Sequence, residues 1–458
     1  MFFLFKKQFY LISLVILSLI LTVILYISYQ SGIRKISHHT LKLLIQRRHE
    51  ILTQSTRIEK TTKNLQPASS SREEFVNHDK DKKLRESPTR KNKGIVYPIT
   101  FISQNLENAL AMLRSNCQVY LASYYSFNEI GKVMPTYIGQ ERVNIYGHWK
   151  KYMILKKFLH SQASSYIDDE DYVFFFFFLD VMFYDNVQNA IDIYWKYLKD
   201  EGIDVERDRE LNWPLLFNAE KNRFPPPKLF IPLIKNMDVN TVVTKYVRKE
   251  NYPVRPYCHP KSTFKFLNSG LYMARKRDIK VYLEKAFENA IDPENTHNDD
   301  QAMTQYMYVT QQLYPVIGDC NATLAIPTLM SCESIKVDVK NSKCEIYNGF
   351  IIDESVSNNI KGTHNSHTRP VAIHSIGKQC PEFCPCLQAI IKSGLLQENI
   401  EREMKRHHFN EMYQLDEKFG VVVYNSDHDS LRIQPVLDFC GSRVLFNPPS
   451  SNCCYKTY

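Results

Sequence analysis

The chain has 458 residues, with 58 Lys and Arg against 49 Asp and Glu, a formal charge of +9 at neutral pH. At 44% hydrophobic and 23% charged residues it can bury a sizeable core, which excludes a wholly disordered or low-complexity protein. The positive charge raises a nucleic-acid reading, but residues 31–95 carry sixteen Lys and Arg against seven Asp and Glu, whereas residues 96–458 sum to about −2. A footprint for DNA or RNA would have to lie on the folded part, so no nucleic-acid partner is expected.

In chain order, Phe9 to Tyr29 is a run of 21 residues without a charge, long enough at ~1.5 Å per residue to cross a bilayer core. The run predicts a membrane anchor over residues 1–30. A cleaved signal peptide would have a shorter apolar region, roughly 7 to 15 residues, followed by small residues, and here the run ends Tyr26-Ile27-Ser28-Tyr29. Lys6 and Lys7 precede the span and Arg34 and Lys35 follow it, so positive charge does not set the orientation. Residues 31–97 read as a basic, flexible stem, with a short amphipathic pattern over Thr40 to Leu52 and polar residues after it.

From Gly94 onward apolar runs return. Val119 to Ala122 and Tyr172 to Phe183 read as strands, and Trp149 to His160 and Val187 to Leu198 as helices, an alternation that predicts an α/β domain with a central sheet flanked by helices. Five consecutive phenylalanines, Phe174 to Phe178, suit a strand covered on both faces. One large domain is expected over residues 98–378, with a cysteine-rich extension over 379–458. Ten of the 11 cysteines lie in the second half, including Cys380, Cys384, Cys386 and the pair Cys453-Cys454, and Asn321-Ala322-Thr323 is a glycosylation acceptor. Zinc binding is the alternative use of such cysteines, but a second Cys/His pair of the usual spacing is absent, so disulfides and a lumenal carboxyl part are expected. The odd count leaves at least one thiol free or paired with another chain.

Four separated segments carry chemistry. Tyr172 to Asp180 ends a buried run in an acid, where ligands of open α/β sheets bind. Phe266-Leu267-Asn268-Ser269-Gly270-Leu271 is a strand broken by glycine, which marks either a bulge or a close approach to the backbone. Asn298-Asp299-Asp300-Gln301 precedes a helical pattern, for which capping alone accounts for the acids. His374 follows Val371-Ala372-Ile373 and would otherwise be a satisfied core histidine.

Taken together with Gly147-His148-Trp149-Lys150-Lys151, Phe217-Asn218-Ala219-Glu220, Phe224-Pro225 and Pro370-Val371-Ala372-Ile373-His374, these segments resemble the glycosyltransferase domain of the procollagen lysyl hydroxylase family (procollagen galactosyltransferases and glucosyltransferases) and, more broadly, GT-A glycosyltransferases. The resemblance spans roughly residues 98 to 378, and the Leu-Asn-Ser-Gly and Asp-Asp-Gln pair is its most specific part. It implies a Rossmann-like GT-A domain with a mixed sheet, a UDP-hexose donor, manganese or magnesium, and transfer to a hydroxyl on a protein or glycan, collagen-like acceptors included. By position it implies Asp180 and His374 as metal ligands and Asp299 and Asp300 as catalytic acids beside the sugar. Lys151, Asn268, Ser269, Gly270 and Gln301 would form the donor pocket. With the anchor and Asn321 it implies a single-pass type II protein of the Golgi or endoplasmic reticulum membrane. The chain departs from the family in one respect: the first acid, expected three residues before Asp180, or two in related transferases, is replaced by Phe177 and Phe178, and Leu179 stands where a uracil-stacking aromatic is expected. The departure motivates one other reading, a catalytically silent fold relative that binds sugar or a partner. A further one, an iron oxygenase using His297, Asp299 and a distal histidine, is set aside because Asp299 is accounted for as a helix opening and the chain is too short for a second, oxygenase domain.

Overall fold

A computed structural model describes residues 93–101, 121–139, 148–177, 181–231, 233–249, 252, 258, 262–328, 332–338, 340–341, 343–346, 370–375, 380–407 and 420–435. The expected membrane span, residues 31–92 of the expected stem, Asp180 and the pair Cys453-Cys454 lie outside the described residues, whereas Val96 and Tyr97, expected in the stem, belong to a strand of the main sheet. Among the described residues no helix is long and apolar enough to cross a membrane.

In chain order the elements are β1 (Val96–Phe101), α1 (Ser123–Phe127), β2 (Thr136–Ile138), α2 (Lys150–His160), β3 (Tyr172–Phe177), β4 (Val181–Phe183), α3 (Ala190–Asp200), β5 (Leu215–Glu220) and β6 (Phe266–Arg275). There follow α4 (Lys276–Asn289), α5 (Asp300–Thr310), β7 (Val316–Asp319), β8 (Ala325–Pro327), β9 (Ile335–Asp338), β10 (Lys343–Ile346), β11 (Ala372–His374), α6 (Phe383–Lys392), α7 (Leu395–His407), β12 (Gly420–Asn425) and β13 (Ser430–Pro435).

Phe174 to Phe177 lie on an interior strand of the main sheet. β3 pairs in parallel with β1 from Val96↔Tyr172 to Phe101↔Phe177, and antiparallel with β6 from Tyr172↔Arg275 to Phe176↔Leu271. With a strand on each edge and packing on each face, Tyr172 to Phe176 are all buried. Such a strand needs no polar alternation, and each phenylalanine contributes about 2 kcal/mol of apolar burial. The sheet around it has eight strands in the order β13-β12-β2-β1-β3-β6-β5-β7. Within the β2-β1-β3-β6-β5-β7 part only β6 runs against its neighbours. The fold is thus mixed α/β, as expected.

Two local expectations fail. The run from Tyr172 to Phe183 is not one strand: β3 ends at Phe177, and β4 belongs to a separate three-stranded sheet, β4-β11-β8. There Val181, Met182 and Phe183 pair with His374, Ile373 and Ala372. Within this small sheet the faces alternate: Val181, Phe183 and Ala372 join the main core, while Met182 and Ile373 join a second core beneath α6. Leu121 and Ala122, expected in a strand, are instead helical and lead into α1. Leu121 to Ser126 are all buried, and a short, fully buried run has no period with which to tell helix from strand.

α2 follows its sequence more directly. Tyr152, Leu155, Phe158 and Leu159 form the buried stripe, Lys157 and His160 are exposed, and the helix ends where Ser161 turns extended. The carboxyl segment adds to the main sheet, because β12 pairs in parallel with β2 through Val422↔Thr136 and Val423↔Tyr137. Disulfides Cys258–Cys320, Cys332–Cys380 and Cys344–Cys386 cross-link the domain, and no described cysteine is free.

Candidate active site

The site forms where β6 departs from regular pairing. Phe217 on β5 faces Tyr272 on β6, yet the next residue, Asn218, faces Asn268. Ser269, Gly270 and Leu271 are accommodated in a bulge between these two pairs. A side chain at Gly270 would have its Cβ 2.8 Å from Asn268 Oδ1 and 3.0 Å from Cε1 and Nε2 of His374. Both readings of this glycine therefore hold: there is a bulge, and what comes close to the backbone is the His374 ring.

Lys151, in the first turn of α2, reaches the same place. Its Nζ lies 2.7 Å from Asp300 Oδ2, with the two side chains 6% and 1% exposed, and donates to Ser269 Oγ at 3.3 Å. Two hydrogen bonds anchor the start of α2 to the loop before α5: Trp149 N–H to the Asn298 carbonyl at 3.1 Å and Trp149 Nε1–H to the Pro293 carbonyl at 2.8 Å. A buried ammonium is tolerated only with such a partner.

The two adjacent acids do different things. Asp299 is the amino-terminal cap of α5, its Oδ1 accepting from Ala302 N–H at 2.8 Å, as capping predicts. Its carboxyl is pushed up to about 6 by burial and by the neighbouring Asp300. Asp300 instead pairs with Lys151, a use that capping does not predict. Gln301 Nε2 donates to Glu220 Oε1 at 2.9 Å and to the Phe224 carbonyl at 3.0 Å. Asn268 Nδ2 donates to the same Glu220 oxygen at 3.2 Å, and Asn268 Oδ1 accepts from Gly270 N–H at 2.7 Å.

His374 ends β11 opposite Val181 and is buried. Asn218 donates from Nδ2 to the Ala325 carbonyl at 2.8 Å, which turns its Oδ1 toward His374 Nδ1 at 3.0 Å. The imidazole therefore carries its proton on Nδ1 and leaves Nε2 as a lone pair facing Gly270. Burial and the nearby Lys151 charge push its pKa down to about 3, so the ring is neutral at physiological pH. A neutral imidazole oriented by an amide is the form that ligates a divalent cation. Asp180, the other expected ligand, lies outside the described residues, but Val181, which follows it, is the register partner of His374. The one group of three ligand-type residues among the described residues is Cys332, Cys380 and Glu382, whose two sulfurs form a disulfide. Phe177 packs its ring 6.2 Å from Phe101 and offers no ligand.

Lys151, Asn268, Ser269, Gly270, Asp300 and His374 are therefore brought together, with Asp299 and Gln301 adjoining on α5. Asn321 lies elsewhere, in the turn after β7, where its N–H donates to Tyr197 Oη at 3.3 Å and Thr323 Oγ1 donates to Asp319 Oδ1 at 2.9 Å. His297 is exposed while Asp299 is buried and capping, so the two do not form one ligand face. The sequence reading missed roles for Glu220 and Asn218. Both lie in a segment matched to the family, and the acid ending a buried strand, the signal used for Asp180, also marks Glu220.

No protein-family model matches this chain, and no curated protein matches it. Among solved structures it is similar to the WbbM bifunctional glycosyltransferase in its apo form, at 8% identity and a TM-score of 0.31, over 70% of this chain and 53% of that one. It is also similar to the galactosyltransferase LgtC in complex with donor and acceptor sugar analogues, at 10% identity and a TM-score of 0.28, over 66% of this chain and 95% of that one. The chain spans about half the length of the first. Identities and TM-scores this low leave the functional reading to the site itself.

Proposed function

We propose that this chain is a GT-A glycosyltransferase that moves a hexose from a UDP-sugar to a hydroxyl on a protein or glycan acceptor. The observation that carries the reading is the convergence at one strand bulge of Lys151, Asn268 to Gly270, Asp300 and His374, drawn from four distant segments. The chemistry needs a positive charge near a diphosphate, backbone that a ligand can approach, and carboxyl groups beside the sugar. Lys151 supplies the first, held toward Ser269 by Asp300. Manganese or magnesium, held by His374 Nε2 and Asp180, would neutralise the charge that develops on the diphosphate as the glycosidic bond breaks. Asp299 and Asp300 orient the transferred hexose, and Asn218 keeps the lone pair of His374 available.

The membrane anchor, the type II orientation and a Golgi or endoplasmic reticulum location belong to the same proposal, supported by the disulfides and the Asn321 acceptor. In microsomes, glycosidase should shift the wild type but not Asn321→Gln; digestion of the carboxyl part without detergent contradicts the orientation.

A second reading has its own observation. Phe177, at the position where the family places its first metal-binding acid, packs against Phe101. A chain that keeps the sugar pocket but turns over no donor would be a sugar- or partner-binding module. A panel of UDP-hexoses tested with the purified full-length protein, with and without manganese, separates the two. Metal-stimulated UDP release with one donor is expected; binding of UDP-sugars without release supports the silent module, and no binding of any donor overturns both.

A further inference from the structure

Glu220 ends β5 with its carboxyl group buried, the residue being 1% exposed. Its two oxygens are used unequally. Oε1 accepts from Gln301 Nε2 at 2.9 Å and from Asn268 Nδ2 at 3.2 Å, whereas Oε2 is buried without a hydrogen-bond partner. The two donors come from different elements, Gln301 from the first turn of α5 and Asn268 from β6 just before the bulge. Both amides are fixed at further points: Gln301 Nε2 also donates to the Phe224 carbonyl, and Asn268 Oδ1 accepts from Gly270 N–H. A single oxygen therefore joins the two stretches that carry the Asn268 to Gly270 and Asp299 to Gln301 segments.

We infer that Glu220 is a positioning residue of the donor site, whose carboxyl oxygen gathers the amides of Asn268 and Gln301 and so holds the β6 bulge in register with the amino end of α5. The inference rests on the donor-site reading above and deepens it. Removing the shared acceptor leaves one N–H of each buried amide unpaired and cuts the link between them, so that Gln301 is held at the Phe224 carbonyl and Asn268 at Gly270 N–H without a common anchor. The bulge is then no longer tied to α5 through Asn268, the residue whose Oδ1 accepts from Gly270 N–H, and Ser269 shifts relative to Lys151. The acceptor is what matters and not a negative charge: no cation pairs with this carboxyl among the described ion pairs, and burial raises its pKa to about 7. A glutamine in its place keeps a carbonyl oxygen for both amides and sets its own amide where Oε2 already lacks a partner.

The test compares Glu220→Gln with Glu220→Met, a near-isosteric change that removes the acceptor. UDP binding is measured by calorimetry on the full-length protein, with manganese present, and turnover is measured with the preferred UDP-hexose. Glu220→Gln should hold UDP affinity to within about threefold of wild type, and Glu220→Met should weaken it about tenfold or more, the size of one lost buried hydrogen bond. KM for the donor should rise more than kcat falls, as for a residue acting through ground-state positioning. If Glu220→Met does not fold, Gln301→Met cuts the same link from the other side and should show the same loss. A folded Glu220→Met or Gln301→Met protein that binds UDP as the wild type does, or a Glu220→Gln protein as weak as Glu220→Met, overturns the inference. A wild type that binds no UDP instead overturns the donor-site reading, and this inference with it.

Discussion

Lys151 Nζ and Asp300 Oδ2 lie 2.7 Å apart although their residues are 149 positions apart in the chain, and both side chains are shielded from solvent. The pair fixes the first turn of α2 against the first turn of α5, and its ammonium also touches Ser269 in the β6 bulge. Removing either partner strands a charge in a dry site. Lys151→Met and Asp300→Asn should each lower stability by about 3 to 5 kcal/mol, and the double variant should cost clearly less than the sum. Chemical denaturation of the four proteins checks this, and strict additivity would show that the two groups do not interact in solution.

The Glu220 carboxyl, raised by burial from 4.5 to about 7, gives stability a pH dependence whose sign can be worked out. Between those values the folded state keeps a proton that the unfolded chain has released, so stability is full at the acidic end and falls as pH rises to about 7. The fall amounts to roughly 3 kcal/mol for this group. Asp299, raised to about 6, acts in the same direction. Glu220→Gln should remove the Glu220 share and flatten the decline without abolishing it; equal slopes in the two proteins would place no titrating carboxyl at 220.

Gly270→Ala tests the closeness of the His374 ring. The added methyl would lie 2.8 Å from Asn268 Oδ1 and 3.0 Å from the imidazole, both of them held by other bonds. Something must move, at a cost of about 1 to 3 kcal/mol. A lower melting temperature together with weaker manganese-dependent UDP binding is expected. A variant with wild-type stability and binding would mean that the bulge opens away from His374.

Phe177→Asp tests whether the missing carboxylate is why any metal is held weakly. A charge at the end of β3, beside Phe101, should destabilise the domain by several kcal/mol in the absence of metal. If 177 can ligate near His374, manganese should restore the melting temperature by mass action. Equal destabilisation with and without manganese would show that position 177 belongs to the core alone.

Much of this arrangement was legible in the residues themselves. The phenylalanine run announced β3, the apolar stripe announced α2, and the glycine in Phe266 to Leu271 announced the bulge. What could not be read was pairing. β3 and β4 are both apolar with only Asp180 as a polar residue between them, and β4 belongs to another sheet because it pairs with β11. The same holds for β12, a short valine run whose partner, β2, lies nearly 300 residues earlier. Asn218 was visible only as a member of a matched segment, and Glu220 also as an acid at the end of a buried run. Their roles depend on Gln301, Asn268 and His374, which approach them only once the sheet has formed.

The central claim is that the convergent residues form a working donor site, and UDP release by Asp300→Asn tests it most directly. Asparagine keeps the volume and one oxygen beside Lys151 but loses the charge. Metal-stimulated UDP release from the preferred UDP-hexose, measured below the melting temperature of the variant, should fall by about 10² or more relative to wild type. A folded Asp300→Asn protein that releases UDP at the wild-type rate would contradict the account and leave Asp300 as a structural partner of Lys151.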